Sequence, residues 1–151
     1  MSSCKDVMNS QPPVLVKGAS VADAVSMLRR ENRVNLPVVD AKGHYLGLFG
    51  AHQVLLLALP KGMRADSGQP LGFVSDSFQD IECRLMAVAG QTVERHMDAQ
   101  FEPLTPDTPL VETLQMLFLR RDDRPVVDPE TRKLVGIVTV RSSLGKLMAH
   151  A

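Results

Sequence analysis

"GLFGAHQVLL" (residues 47–56) and "GIVTVRSSLG" (residues 136–145) write one pattern twice: a glycine, a short apolar run, a small residue, then a second apolar run. Gly136 follows Gly47 by 89 residues, and the match extends outward from both. At the same offset "SCKDVMN" (residues 3–9) lies over "TVERHMD" (residues 92–98), with Met8 over Met97. "SVADAVSML" (residues 20–28) falls on "PLVETLQML" (residues 109–117), so that Val21, Val25 and Leu28 meet Leu110, Leu114 and Leu117. A one-residue gap aligns "LPVVD" (residues 36–40) with "RPVVD" (residues 124–128), and a one-residue insertion in the next turn restores the offset at the glycines. Self-similarity at a fixed period marks a repeat architecture and takes precedence over local propensity. The chain is two copies of one unit.

Each copy has the same local order. Val21, Ala24, Val25 and Leu28 occupy one face of a helix, with Ser20 placed to cap it and Asp23 three residues on. In the second copy Thr108 is placed as the cap and Pro109 as the first helical residue, where its missing N–H costs nothing. "PVVD" and the apolar run around Gly47 or Gly136 have the length and β-branched content of buried strands. The turns "DAKGHY" and "DPETRK" join them, and helical spacing returns over residues 51–59, ended by Pro60, and over residues 140–148. The unit reads strand, helix, strand, strand, helix, and the fold class is α+β (mixed α/β). Residues 60–72 concentrate Gly, Pro and polar residues and read as a loop. Asp76 and Gln79 then form a capping pair ahead of Phe78, Ile81, Leu85 and Val88, an extra helix between the copies that Gly90 is placed to end. The expected boundaries are 1–60 for the first copy, 61–91 for the loop and extra helix, and 92–151 for the second copy.

The chain has 151 residues, 44% of them apolar, enough for one packed domain or two small repeats. Seventeen Lys and Arg balance seventeen Asp and Glu, so no net field favours nucleic acid or anionic lipid. The longest apolar stretch, residues 54–59, is far too short to span a membrane. The first ten residues lack a secretory h-region and only Cys4 and Cys83 are present, which reads as a cytoplasmic, reduced protein. His44, His52, His96 and His150 lie far apart and at no metal-ligand spacing from either cysteine. No nucleophile elbow, Walker loop or dinucleotide fingerprint occurs, so an enzyme reading has no set of residues to rest on.

The ordered set of a helix start after "VM", then "PVVD", a turn, and a glycine-led strand running into a helix, all doubled, resembles the tandem CBS domain, the Bateman module named after cystathionine β-synthase. The resemblance covers residues 3–58 and 92–148. It implies two three-stranded repeats packed sheet to sheet about a pseudo-twofold axis, helices outside and clefts between the repeats, in a chain that forms a homodimer. It further implies a regulatory module that takes adenosine-containing ligands such as AMP, ADP or ATP, needs no cofactor, and signals to an effector protein.

In that family the last strand leads into G-h-h-T-x-x-D, where the Thr or Ser contacts phosphate or ribose and the Asp takes the ribose hydroxyls. Here the second copy keeps Gly136, Ile137, Val138 and Thr139, followed by Val140 and Arg141, but Ser142 stands in the place of the Asp. In the first copy Gly50 replaces the Thr, His52 lies within the turn, and Gln53 replaces the Asp. Losing a carboxylate that accepts two bonds from a diol costs about 1.5 to 3 kcal/mol, which weakens a nucleotide site without abolishing it. Ser142 and Gln53 can each still bond a hydroxyl. Arg124, before Pro125 in the "RPVVD" strand, and Arg141 are candidates to fork a phosphate, which favours a ligand on the Thr139 side; the competing reading leaves both arginines solvated. The leading expectation is a stand-alone nucleotide-sensing module. The alternative is a ligand-free dimerisation scaffold whose surface, including residues 78–88, binds another protein.

Overall fold

The computed structural model describes residues 2–60, 77–120 and 123–149. In the first repeat, β1 (Leu15–Val16) pairs parallel with β2 (Asn35–Val39), which pairs antiparallel with β3 (Tyr45–Gly50). Helix α1 (Val21–Arg30) crosses over between the parallel strands and α2 (Ala51–Ala58) follows β3 directly. The second repeat returns the same order with α4 (Leu110–Arg120), β4 (Arg124–Val127), β5 (Leu134–Val138) and α5 (Val140–Leu147), and α3 (Phe78–Val88) lies between the repeats and packs on α2. The mixed α/β, two-repeat architecture with an extra helix is therefore present.

Three details differ from the sequence expectation. The leading strand of the second repeat is reduced to a single parallel bridge, Leu104 with Val126. In the first repeat the Lys17 amide extends this ladder by donating to Val39 O at 2.8 Å. Pro106 occupies the matching position 89 residues on and has no N–H to give, so the strand stops. Helix α3 is capped by Ser77, whose hydroxyl accepts from the Asp80 amide at 3.1 Å while the Asp80 carboxylate accepts from Ser77 N–H. The cap thus falls one residue later than the Asp76–Gln79 pair; Asp76 and residues 61–72 lie outside the described residues. Helix α4 begins at Leu110 rather than at Pro109, because Pro109 bridges Ser3 and its carbonyl accepts the Thr113 amide; Thr108 Oγ1 accepts from Thr105 N–H instead.

The repeats are joined by hydrogen bonds that come in pairs. Cys4 N–H donates to Thr108 O and Val93 N–H to Ala19 O, both at 2.9 Å. Asn9 exchanges two bonds with Ile137, as Asp98 does with Leu48. Tyr45 N–H donates to Arg132 O and Leu134 N–H to Gly43 O, both at 3.0 Å. Each bond becomes its partner when 89 is added to one residue number and subtracted from the other, as an approximate dyad requires. His44 and Lys133, themselves 89 apart, bridge each other and mark where that axis passes.

The two cores also exchange residues. Val93 of the second repeat is fully buried with Leu15, Leu28, Leu36, Val38 and Phe49 of the first. Cys4 and Val7 of the first repeat are buried with Leu104, Leu117, Val126 and Val138 of the second. Each fully buried side chain of this size contributes about 1.5–3 kcal/mol, so neither core is complete without the other repeat's leading segment.

Candidate functional site

The glycines of the opening pattern are set by how close the repeats approach. A Cβ on Gly47 would lie 2.9 Å from Asp98 O and 3.0 Å from Met97 Sδ; one on Gly136 would lie 2.8 Å from Asn9 O and 2.7 Å from Met8 Sδ. Gly50 has a different cause. Its backbone is extended, and a Cβ there would fall onto the Asn35 amide oxygen and the Val34 carbonyl. The first repeat therefore has no room for a threonine at the position that Thr139 holds in the second.

Beside the Gly136 strand a cleft of about 790 Å³ opens between the repeats. The second repeat supplies Asp123, residues 139–142 and Lys146; the first supplies residues 8–10 and 31–34. Thr139, Val140, Arg141 and Ser142 are thus brought together at the mouth of α5. Thr139 is the N-cap: its Oγ1 accepts from the Ser142 amide at 2.8 Å. Ser142 Oγ accepts from Thr139 N–H at 3.0 Å and donates to Thr139 O at 3.1 Å. The Ser142 hydroxyl gives its proton and takes one in the same cap. The cap holds the first turn of α5 open to the cleft, where the N-terminal end of a helix favours negative charge.

The remaining sequence candidates lie elsewhere. Arg124 does not line the cleft: it sits in β4 at 4% exposure, with its guanidinium carbon 4.7 Å from the centre of the Phe101 ring and Nη1 donating to Glu102 O at 3.4 Å. It is neither a phosphate fork in this cleft nor solvated, because strand parity turns it inward in the place that Leu36 holds in the first repeat. Pro125 is carried into the same strand and pairs with Ile137. Gly50, His52 and Gln53 sit at the start of α2, away from this cleft, and the Gln53 side-chain oxygen accepts from Gly50 N–H at 2.8 Å.

Sequence reasoning missed the first repeat's contribution. Glu31, Asn32 and Arg33 follow α1 in a turn where Asn32 adopts φ 51°, and they face the cleft with Arg141 and Lys146. The cleft carries three cations and two carboxylates, Glu31 and Asp123. The only legible signal was the non-glycine turn "ENRVN" ahead of "LPVVD". Among the described residues no group of three or more His, Cys, Asp or Glu could hold a metal ion, and no helix is long and apolar enough to cross a membrane.

The sequence model of the CBS domain matches residues 4–59 and 93–142. Among solved structures, the chain is similar to the CBS-pair protein CBSX2 from Arabidopsis thaliana at 22% identity and a TM-score of 0.74, over 97% of this chain and 94% of that one. It is similar to CBSX2 in complex with AMP at 20% identity and a TM-score of 0.71, over 99% and 98%. A third likeness is to the CBS domain pair of protein MJ0100 in complex with 5′-methylthioadenosine and S-adenosyl-L-methionine, at 21% identity and a TM-score of 0.61, over 97% and 99%. No curated protein matches the sequence.

Proposed function

The chain belongs to the CBS domain family, and from that premise we propose that it is a regulatory module, acting in the reducing cytoplasm, that binds an adenine nucleotide in the cleft beside Thr139 and passes its occupancy to a partner protein. One observation carries the reading: a cleft of about 790 Å³ lined from both repeats, onto which the capped start of α5 opens and which Arg33, Arg141 and Lys146 also line. The binding of AMP by one similar protein and of adenosyl compounds by another supports the ligand class. A ligand that touches both repeats favours whichever arrangement of them it fits better, by its difference in affinity for the two, and this population shift is the signal. Cys4 and Cys83 are free thiols, and the role proposed for the cleft is binding.

The test is a thermal-shift series with AMP, ADP, ATP and S-adenosylmethionine. A ligand that binds only the native state adds about 2.7 kcal/mol at 100 times its dissociation constant, and the shift is expected to fall in Arg141→Ala measured against that variant's own baseline. Arg124→Ala is expected to lower the baseline and leave the ligand-dependent increment in place. The absence of a shift with all four ligands overturns the sensor in favour of the second reading, a dimerisation scaffold. The scaffold has its own supporting observation: α4 and α5 present apolar side chains that no other described element covers. Both readings include a homodimer formed through that face.

A further inference from the structure

The charges around the cleft narrow the ligand further, on the reading of it as an adenosine site. Arg33 comes from the turn after α1, and Arg141 and Lys146 come from α5, five residues apart along its axis. Three cations on one cleft, with Arg141 in the first turn of α5 and Lys146 in its last, select an anion. Cations alone would suit any polyanion, but Glu31 and Asp123 line the same cleft and disfavour a ligand that is anionic along its whole length. A ligand with an anionic end and a hydrogen-bond-donating end satisfies both. Among nucleosides, the donating group that a carboxylate holds best is the ribose diol, whose two hydroxyls give charge-assisted bonds to its two oxygens. Ser142 does not take that role, since its hydroxyl already donates to Thr139 O and accepts from Thr139 N–H. Glu31 is available for it: its ion pair with Arg30 is 3.7 Å long, with the two side chains 43% and 66% exposed, a pair of little worth in water.

We infer that Glu31, supplied by the opposite repeat from Thr139, receives the ribose hydroxyls, and that Arg33, Arg141 and Lys146 receive phosphate. The site then selects a nucleoside phosphate over an adenosyl ligand without one. The sulfonium of S-adenosylmethionine would meet three like charges, and 5′-methylthioadenosine would leave them unsatisfied. The carboxylate is recruited across the repeat boundary, so ribose binding itself joins the two repeats.

Titration calorimetry on the full chain with AMP, 2′-deoxy-AMP and S-adenosylmethionine tests this. The wild-type chain is expected to bind AMP about tenfold or more tighter than either of the others. In Glu31→Gln the AMP affinity falls to that of 2′-deoxy-AMP, while 2′-deoxy-AMP is unaffected within about twofold; in Asp123→Asn the ratio between the two nucleotides persists. Arg33→Ala with Lys146→Ala weakens both nucleotides together and flattens their salt dependence. A Glu31→Gln chain that still prefers AMP over 2′-deoxy-AMP overturns the assignment, as does S-adenosylmethionine binding as tightly as AMP. A wild-type chain that binds none of the three overturns the adenosine reading itself, a result distinct from binding with the wrong preference.

Discussion

A single hydrogen at Gly47 and at Gly136 sets how closely the two repeats can lie. Adding a methyl at Gly47 puts it against the Asp98 carbonyl, Met97 Sδ and the Ala99 Cα at 2.9, 3.0 and 3.2 Å, and two of these contacts are backbone that cannot swing aside. Gly47→Ala and Gly136→Ala are each expected to cost about 1–3 kcal/mol, lowering Tm by several degrees in a chain of this size. Gly145→Ala is the control, because open space surrounds that position in α5 and alanine is the better helix former, so its Tm is expected to hold or rise. Differential scanning calorimetry of the three variants reads both signs. The repeat in the sequence singled out the first two glycines, but their reason was hidden, since the atoms that crowd them belong to the other copy. Arg124 is the converse case. The alignment of "LPVVD" with "RPVVD" already placed it over a core leucine, and reading the strand's parity, rather than the usual exposure of arginine, would have turned it inward over Phe101.

Among elements, the helices and paired strands were legible because period and length separate them, and Ser20 caps α1 as its position indicates, accepting from Asp23 N–H at 3.0 Å. The short leading strands were less so: two residues of β1 carry no period, and the difference between Lys17 and Pro106 decides whether the ladder continues. The two turns on the dyad show how one backbone path is reached by different residues. Gly43 at φ 89° and Arg132 at φ 63° both take the left-handed region, the arginine with the strain that a side chain brings there. In the first turn Asp40 does the fastening: its carboxylate accepts from the Lys42 and His44 amides at 2.9 Å each and lies 2.9 Å from His44 Nδ1. The backbone bond from His44, then the side-chain bond from the same residue, lowers the Asp40 pKa from 3.8 to about 2. A carboxylate whose folded pKa is depressed contributes stability above its unfolded value and loses it as pH falls through the folded value. Asp40→Asn is therefore expected to show a Tm deficit near neutral pH that shrinks as pH falls from about 4 to about 2. A deficit that stays constant across that window would mean the turn depends on the side chain's shape rather than its charge.

At the scale of the whole molecule the dyad is broken on the outside. Helix α3 packs on α2 of the first repeat, and the matching surface of the second repeat is left without a covering element among the described residues. There α4 and α5 enclose an apolar groove of about 400 Å³ lined by Leu114, Leu117, Phe118, Leu144 and Leu147, with Phe118 78% and Leu144 57% exposed. Apolar side chains left open side by side in this way mark an interaction face rather than ordinary scattered surface hydrophobes. In the first repeat the positions of Phe118 and Leu147 hold Arg29 and Ala58, while that of Leu144 keeps an exposed leucine, Leu55, so the face is more apolar in the second half of the chain. A symmetric pair of chains would bury it against itself. In sedimentation equilibrium at micromolar concentration the wild-type chain is expected to run as a dimer and Phe118→Asp combined with Leu144→Asp as a monomer, whereas Phe78→Asp, on an exposed position of α3, is expected to behave as the wild type. A wild-type chain that is monomeric under those conditions, or a dimer that survives the double substitution, removes this face as the site of self-association. Val140 lines both the groove and the cleft beside Thr139, so α5 is the element that the two surfaces share. If ligand and second chain both bear on it, linkage requires that each alter the other's affinity by the same factor. The dimer dissociation constant is then expected to change when the cleft is filled with AMP, and an unchanged constant would mean that α5 does not carry the signal.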